Sequence, residues 1–275
     1  MSKFKGKLAK LRNNEFWVSV FKLSSGQIIG QGITLLATLV LSRIYTDSDY
    51  GAFGIITSTA AIIIGFISLA LGSAIMVAKT DEESRRVFVV AFTVQMLLLI
   101  IVTAVILIIS PFTKYFETTV NYGISVVLMA IYICVNILYT IMRIYINRLK
   151  MNDVLFWNSL ITAGCTVFIS IPFGLLKFGF IGLIISAIMA SLLSSLHMIR
   201  NANPFDRIPR QNDFKLTFQD CRKFIFFQYP SNVMGTVSGQ IPNQTLYSRF
   251  GDAALGTYGM CNRVFQMPMN LIIAP

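Results

Sequence analysis

The sequence predicts an all-α polytopic membrane protein with about eight transmembrane helices, and three observations carry that prediction. Only 13% of its 275 residues are charged while 55% are hydrophobic, whereas a soluble domain holds about 25% charged residues. The apolar residues come in long blocks: residues 51–78 and 87–111 contain no charge at all, and about 20 apolar residues suffice to cross a bilayer core. The basic residues, finally, sort into alternate connections between those blocks. The blocks are too numerous to be one signal peptide. A net charge of +11 would suggest a nucleic-acid partner in a soluble chain, but the placement of the charges points to membrane topology instead, and no nucleic-acid partner is expected.

Taken in order, the spans fall at about 17–42, 51–78, 87–110, 121–142, 155–176, 178–198, 224–248 and 253–275. Lys3, Lys5, Lys7, Lys10 and Arg12 precede the first span, and Lys79, Arg85 and Arg86 follow the second. Arg143, Arg148 and Lys150 follow the fourth, and Arg200, Arg207, Arg210, Lys215, Arg222 and Lys223 fill the polar stretch after the sixth. Arg43, Lys114, Lys177 and Arg249 are the few cations on the opposite side. The positive-inside rule therefore places the N-terminus and the 199–223 linker in the cytoplasm.

A short signature repeats. Ser42-Arg43 followed by Gly51-Ala52-Phe53-Gly54 returns as Ser248-Arg249 followed by Gly256-Thr257-Tyr258-Gly259. Position 42 maps to 248 and position 51 to 256, so the offset is 206 and then 205. Six spans separate the copies, an even number, so both face the same way. This is the plan of parallel six-helix repeats, which bind substrate between halves. The division expected is a six-helix lobe over 1–198, a cytoplasmic linker over 199–223 and the start of a second lobe over 224–275. The second lobe would be incomplete, and the sequence reads as a truncated chain.

Candidate binding residues are the polar ones inside the spans. Ser24, Gln27, Gln31, Thr34 and Thr38 form one helical stripe, and Asn232, Thr236, Gln240, Asn243 and Tyr247 form a second at the duplicated position. Side chains of this kind in hydrocarbon need partners, so the stripes face other helices or a water-filled cavity. Either interhelical hydrogen bonding or a shared central cavity fits. Pro230, Gly235, Gly239 and Pro242 interrupt the seventh span, as in transporter helices that border a site. The pairs Gly26/Gly30 and Gly235/Gly239 have the spacing of close helix packing.

Arg263 lies about ten residues, roughly 15 Å, into the eighth span. A guanidinium at that depth must face a cavity or a carboxylate, and no acidic residue lies centrally in any span. An unpaired buried cation suits an anionic group such as phosphate. Lys22, Arg43 and Arg249 lie nearer span ends, where snorkelling competes with binding. Cys134, Cys165, Cys221 and Cys261 have no metal-ligand spacing. No catalytic constellation, metal or cofactor is called for; Asp47 and Asp49 form an isolated D-x-D in a tight turn.

The basic N-terminal segment, Ser42-Arg-Ile-Tyr-Thr-Asp-Ser-Asp-Tyr50-Gly51-Ala-Phe53-Gly54, and the later Arg249 to Gly259 stretch followed by Pro268 together resemble the polysaccharide-transporter branch of the multidrug/oligosaccharidyl-lipid/polysaccharide exporter superfamily. That resemblance implies a flippase for O-antigen or capsule repeat units, not an enzyme. It would move polyprenyl-pyrophosphate-linked oligosaccharides, including lipopolysaccharide precursors, from the cytoplasmic to the periplasmic leaflet of a bacterial inner membrane. The implied mechanism is alternating access through a cationic cavity between the lobes, lined by Arg263, Lys22, Gln31, Asn232, Gln240, Asn243, Arg43 and Arg249. Polysaccharide polymerase or assembly proteins are implied partners beside the bilayer itself. A drug or metabolite exporter and a non-transporting scaffold remain alternatives.

Overall fold

The structure, a computed structural model, describes residues 15–109, 122–205 and 211–273. The basic segment before residue 15, Lys114, Arg207, Arg210 and Pro275 lie outside the described residues, as does the side chain of Lys22. Every element is helical: α1 (Glu15–Ile44), α2 (Asp47–Ile67), α3 (Leu71–Val77), α4 (Asp81–Ile109), α5 (Tyr122–Arg148), α6 (Asn152–Leu175), α7 (Phe180–Asn201), α8 (Gln211–Asp220) and α9 (Tyr229–Ile273), the last entered through a π turn over Phe224–Gln228. Six of the described helices are long and apolar enough to cross a membrane, so the chain is a multi-pass membrane protein. The expected seventh and eighth spans are present as the two arms of α9, which meet at Gly251 (φ 82°, ψ −174°). Neither arm is among those six, and Asn232, Thr236, Gln240, Asn243 and Gln244 interrupt the first arm.

The turn between α1 and α2 is built by its own polar residues. Thr46 caps α2: its hydroxyl accepts from the Asp49 amide, while the Asp49 carboxylate accepts from the Thr46 amide at 3.0 Å and hydroxyl at 2.7 Å. This reciprocal capping box satisfies two amides that a helix start leaves open, and the carboxylates of Asp47 and Asp49 favour the positive end of the helix dipole. The D-x-D thus serves the helix start. Tyr45 then turns back into the bundle, donating to the Ser170 carbonyl on α6 at 2.6 Å.

The expected single span over 51–78 is two helices. Leu69 and Ala70 both hold left-handed backbone (φ 47° and 53°) and split α2 from α3. Each non-glycine residue there costs about 1–2 kcal/mol, offset by burial of Leu71 and by the Ser68 carbonyl, which accepts from the Leu71 amide at 3.1 Å and from the Gln95 side-chain amide at 3.2 Å. Neither Gly nor Pro marks the break, so nothing local announced it.

Packing follows small residues. Gly26 and Gly30 of α1 lie against the α6 backbone at Phe156 and Ser159, where a Cβ would come within 3.0 and 3.1 Å. That is the close approach expected of the motif. Gly235 and Gly239 on α9 differ: each has open space around its Cβ direction. α6 and α7 join through Thr162 and Ser194, whose hydroxyls lie 2.6 Å apart. Phe88, Ile67, Ile133, Met142 and Ile184 fill the core among α2, α4, α5 and α7.

The connections sort by end. At one end, Arg85 donates to the Asn203 carbonyl, Arg86 pairs with Asp220 of α8 at 2.7 Å, and Arg148 donates to the Ala78 carbonyl closing α3. At the other, the duplicated signatures meet. A Cβ on Gly51 would collide with the Asp252 carbonyl, and one on Gly256 with the Asp47 carbonyl. These positions are equivalent at the offset of 205, so the two helix starts cross reciprocally about a local two-fold axis. Ser48 adds a hydrogen bond to the Asp252 carboxylate.

Two outcomes are expected. Gly51→Ala should cost about 1–3 kcal/mol through overpacking, read as a lowered thermal midpoint in detergent, whereas Gly239→Ala should leave it unchanged or raise it. The Cys221 thiol, on the linker just after α8, is pushed up to about 11 by burial, then by Asp220 and Glu83 against the opposing Arg86. A raised thiol stays protonated until pH nears that value, so maleimide labelling at pH 8 should run about a hundredfold slower than at an ordinary exposed cysteine, as peptide mass spectrometry would measure.

Candidate functional site

Below the signature crossing a cleft lies between α2 and the two arms of α9. Its end nearer the crossing is a chamber of about 310 Å³, walled by Tyr50, Phe53, Gly54, Thr57 and Ser58 of α2. Leu255, Gly256, Gly259, Asn262 and Arg263 face them from the second arm of α9, with Gln240 and Asn243 from the first. The walls are equivalent positions of the two copies: 50 and 255, 54 and 259, 57 and 262, 58 and 263. Arg263 therefore stands opposite the place that Ser58 fills on the other wall.

Arg263 is exposed to this chamber, and its guanidinium carbon lies 5.4 Å from the Tyr50 ring centroid and 5.8 Å from that of Phe53. Contacts at these distances are attractive through the ring quadrupoles, and they leave the planar fork of donors available. Tyr50 is held edge-on by Tyr45 at 6.1 Å, and its buried hydroxyl has no partner among the described residues. No carboxylate is among the lining residues. The arrangement can hold an anionic group between a guanidinium, a phenol and the amides of Gln240, Asn243 and Asn262.

A second chamber, about 670 Å³, adjoins the first at Thr57 and extends toward the basic end. α2 contributes Ala61, Ile64, Gly65 and Ser68, α5 contributes Tyr132 and Asn136, and α9 contributes Ser231, Asn232, Gly235 and Thr236. Gln244 bridges α9 to α2 through Ser58 at 3.1 Å and Thr59 at 3.2 Å. At the far end Gln228 donates to the Ser73 hydroxyl at 2.8 Å and Tyr229 to the Phe66 carbonyl at 2.9 Å.

The structure brings Arg263, Gln240, Asn243 and Asn232 together along one cleft. It leaves the other candidates elsewhere. Arg43 and Arg249 are exposed at the signature end and line neither chamber. Gln31 is on α1, half-buried, its side-chain oxygen without a partner among the described residues. The neighbouring hydroxyls of Thr34 and Thr38 bond the carbonyls one turn back on α1 itself. Only the Thr34 and Thr38 hydroxyls of the first stripe are thus satisfied within their own helix, and neither chamber is lined by the first stripe. Sequence reasoning passed over Tyr50, Phe53, Tyr132 and Asn136. The first two belong to the duplicated signature, and Tyr132 and Asn136 are an i, i+4 polar pair within an apolar span, a signal available but not used. Among the described residues no three His, Cys, Asp or Glu gather where a metal could bind.

The family model described as "Polysaccharide biosynthesis protein" matches residues 40–275. The fold is similar to that of an inward-facing multidrug resistance MATE family transporter of the MOP superfamily, at 15% identity and TM-score 0.55 over 93% of this chain and 63% of that one. An outward-facing conformation of such a transporter matches at 16% identity and TM-score 0.52 over 93% of this chain and 61% of that one. A MATE protein in the bent conformation matches at 14% identity and TM-score 0.53 over 96% and 63%. The chain therefore spans less than two thirds of the length of these structures, and the likeness at such identity is one of fold. No curated protein sequence matches it. With the family model covering most of its length, the chain belongs to the polysaccharide biosynthesis protein family.

Proposed function

We propose that this chain forms the substrate path of a lipid-linked oligosaccharide flippase in a bacterial inner membrane, carrying polyprenyl-pyrophosphate-linked repeat units from the cytoplasmic to the periplasmic leaflet. The observation that carries the reading is Arg263, a cation placed in a membrane cleft on aromatic faces, with no carboxylate among the lining residues. A guanidinium in that setting favours an anion and grips phosphate oxygens bidentately. The same cleft repels cations, which weighs against a cationic-drug exporter. The family supports a polysaccharide precursor as cargo.

In this reading residues 1–198 are one lobe, 199–223 a cytoplasmic linker and 224–275 the beginning of the opposing lobe. The excess of Lys and Arg at the α8 end supports a cytoplasmic N-terminus. The pyrophosphate binds Arg263 with help from Gln240 and Asn243, and the prenyl tail stays in lipid. The signature crossing closes the periplasmic end, and the Gln228–Ser73 and Tyr229–Phe66 bonds tie the cytoplasmic end. Rocking one lobe against the other parts one closure while the other holds.

The test is complementation in a host lacking its own repeat-unit flippase, scoring surface polymer against membrane abundance. Arg263→Ala should keep normal abundance yet reduce export at least about tenfold, the loss expected for one hydrogen bond to a charged group of roughly 1.5–3 kcal/mol. Arg263→Lys should retain part of the activity. Unchanged polymer in Arg263→Ala would remove the cationic cleft from the mechanism, and rescue only of dye resistance would favour an exporter. Tyr50→Phe should leave the thermal midpoint unchanged, since it deletes a hydroxyl with no partner among the described residues, but should lower export if that hydroxyl meets substrate.

A further inference from the structure

The cleft holds two chambers of different chemistry, and the larger one is not used by the phosphate argument. Resting on the flippase reading above, we propose that the 670 Å³ chamber is a site for uncharged sugar rings. The substrate would then lie with its pyrophosphate at Arg263 and its first sugars toward the basic end.

No Lys, Arg, His, Asp or Glu lines the larger chamber. A carboxylate-bearing sugar there would meet no counter-charge from the lining residues. What the walls offer is a set of neutral hydrogen-bonding groups: the Asn136 and Asn232 amides and the Ser231 hydroxyl, with the Thr236 hydroxyl as an acceptor. Several are held for such use. The Asn136 amide nitrogen donates to the Tyr132 carbonyl at 2.9 Å, which fixes the side chain and leaves its oxygen as an acceptor. The Thr236 hydroxyl donates to the Asn232 carbonyl at 2.9 Å, which leaves its oxygen lone pairs. The Asn232 amide is exposed to the cleft, with no partner among the described residues. The Tyr132 ring supplies an apolar body with a polar tip. Gly235 keeps the α9 wall low, with nothing within 4 Å of where a Cβ would point.

Size and continuity agree with this assignment. The larger chamber has about twice the volume of the one at Arg263 and falls within the 300–1,000 Å³ range of small-molecule sites. The two share Thr57 as a wall, so a single head group reaches both. Charge recognition and hydroxyl recognition are thereby divided along one helix face.

The test measures binding of three probes to the purified chain in nanodiscs: undecaprenyl-pyrophosphate, undecaprenyl-pyrophosphoryl-N-acetylglucosamine and its glucuronosyl counterpart. The N-acetylglucosamine probe should bind at least about tenfold tighter than the other two, the gain of roughly one or two neutral hydrogen bonds. Asn232→Leu should remove most of that gain while leaving the sugar-free probe unchanged. Arg263→Gln should weaken all three probes. If Arg263→Gln weakens them but Asn232→Leu changes nothing, or the glucuronosyl probe binds as tightly as the neutral one, the sugar chamber is overturned and the phosphate site stands. If Arg263→Gln changes nothing, or no probe binds, the flippase reading fails with it. Asn232→Asp, a substitution on an exposed position, should reject the glucuronosyl probe further, and its failure to do so would also count against the chamber.

Discussion

Two helix starts cross with no side chain between them where Gly51 meets the Asp252 carbonyl and Gly256 meets that of Asp47, and the cleft depends on that crossing. Apolar lipid gives helices no hydrophobic reason to associate, so close van der Waals approach of small residues must supply it. Here the approach is backbone to backbone, and it sets how far α2 and α9 stand apart beyond it. Arg263 reaches Tyr50 and Phe53 because the two helices leave one point at a fixed angle. A methyl group at either glycine would shift every contact below it. The Thr46–Asp49 cap serves the same end, since it fixes where α2 begins and hence where Gly51 lies.

Much of this was legible in the sequence, for identifiable reasons. The duplicated signature announced the crossing elements, because glycines needed for backbone contact cannot be replaced by anything larger. Arg263 stood out because the cost of a cation in hydrocarbon leaves few bland explanations. The packing of Gly26 and Gly30 on α6 also followed the expected spacing. The break at Leu69–Ala70 did not show, since its left-handed residues are ordinary apolar ones held by distant packing and by Gln95, 27 positions beyond the Ser68 it bonds. In the first polar stripe the Thr34 and Thr38 hydroxyls bond their own helix, which spacing alone does not distinguish from a cavity wall. Gly235 and Gly239 share the spacing of Gly26 and Gly30 yet pack on nothing. The motif records an opportunity for contact, and only the partner helix decides whether it is taken.

The setting of Arg263 matters as much as its charge. A carboxylate partner would have satisfied the guanidinium and consumed its donors. Aromatic faces stabilise the same cation while leaving the donors in the plane of the group. The side chain is therefore positioned without being neutralised, and the chamber keeps a positive potential. The neutral amides along α9 extend polarity down the cleft without adding charge, so the field weakens from one end to the other.

The walls of the smaller chamber derive from two copies of one segment, yet the copies have drifted apart at the places that face the cavity. Tyr50 stands where the other copy has Leu255, and Ser58 where it has Arg263. A cavity with matched walls would admit a ligand in two equivalent poses related by half a turn. With the cation on one wall and the phenol on the other, those poses differ in energy. A duplicated scaffold supplies the enclosure, and the loss of sameness within it supplies handedness for what enters.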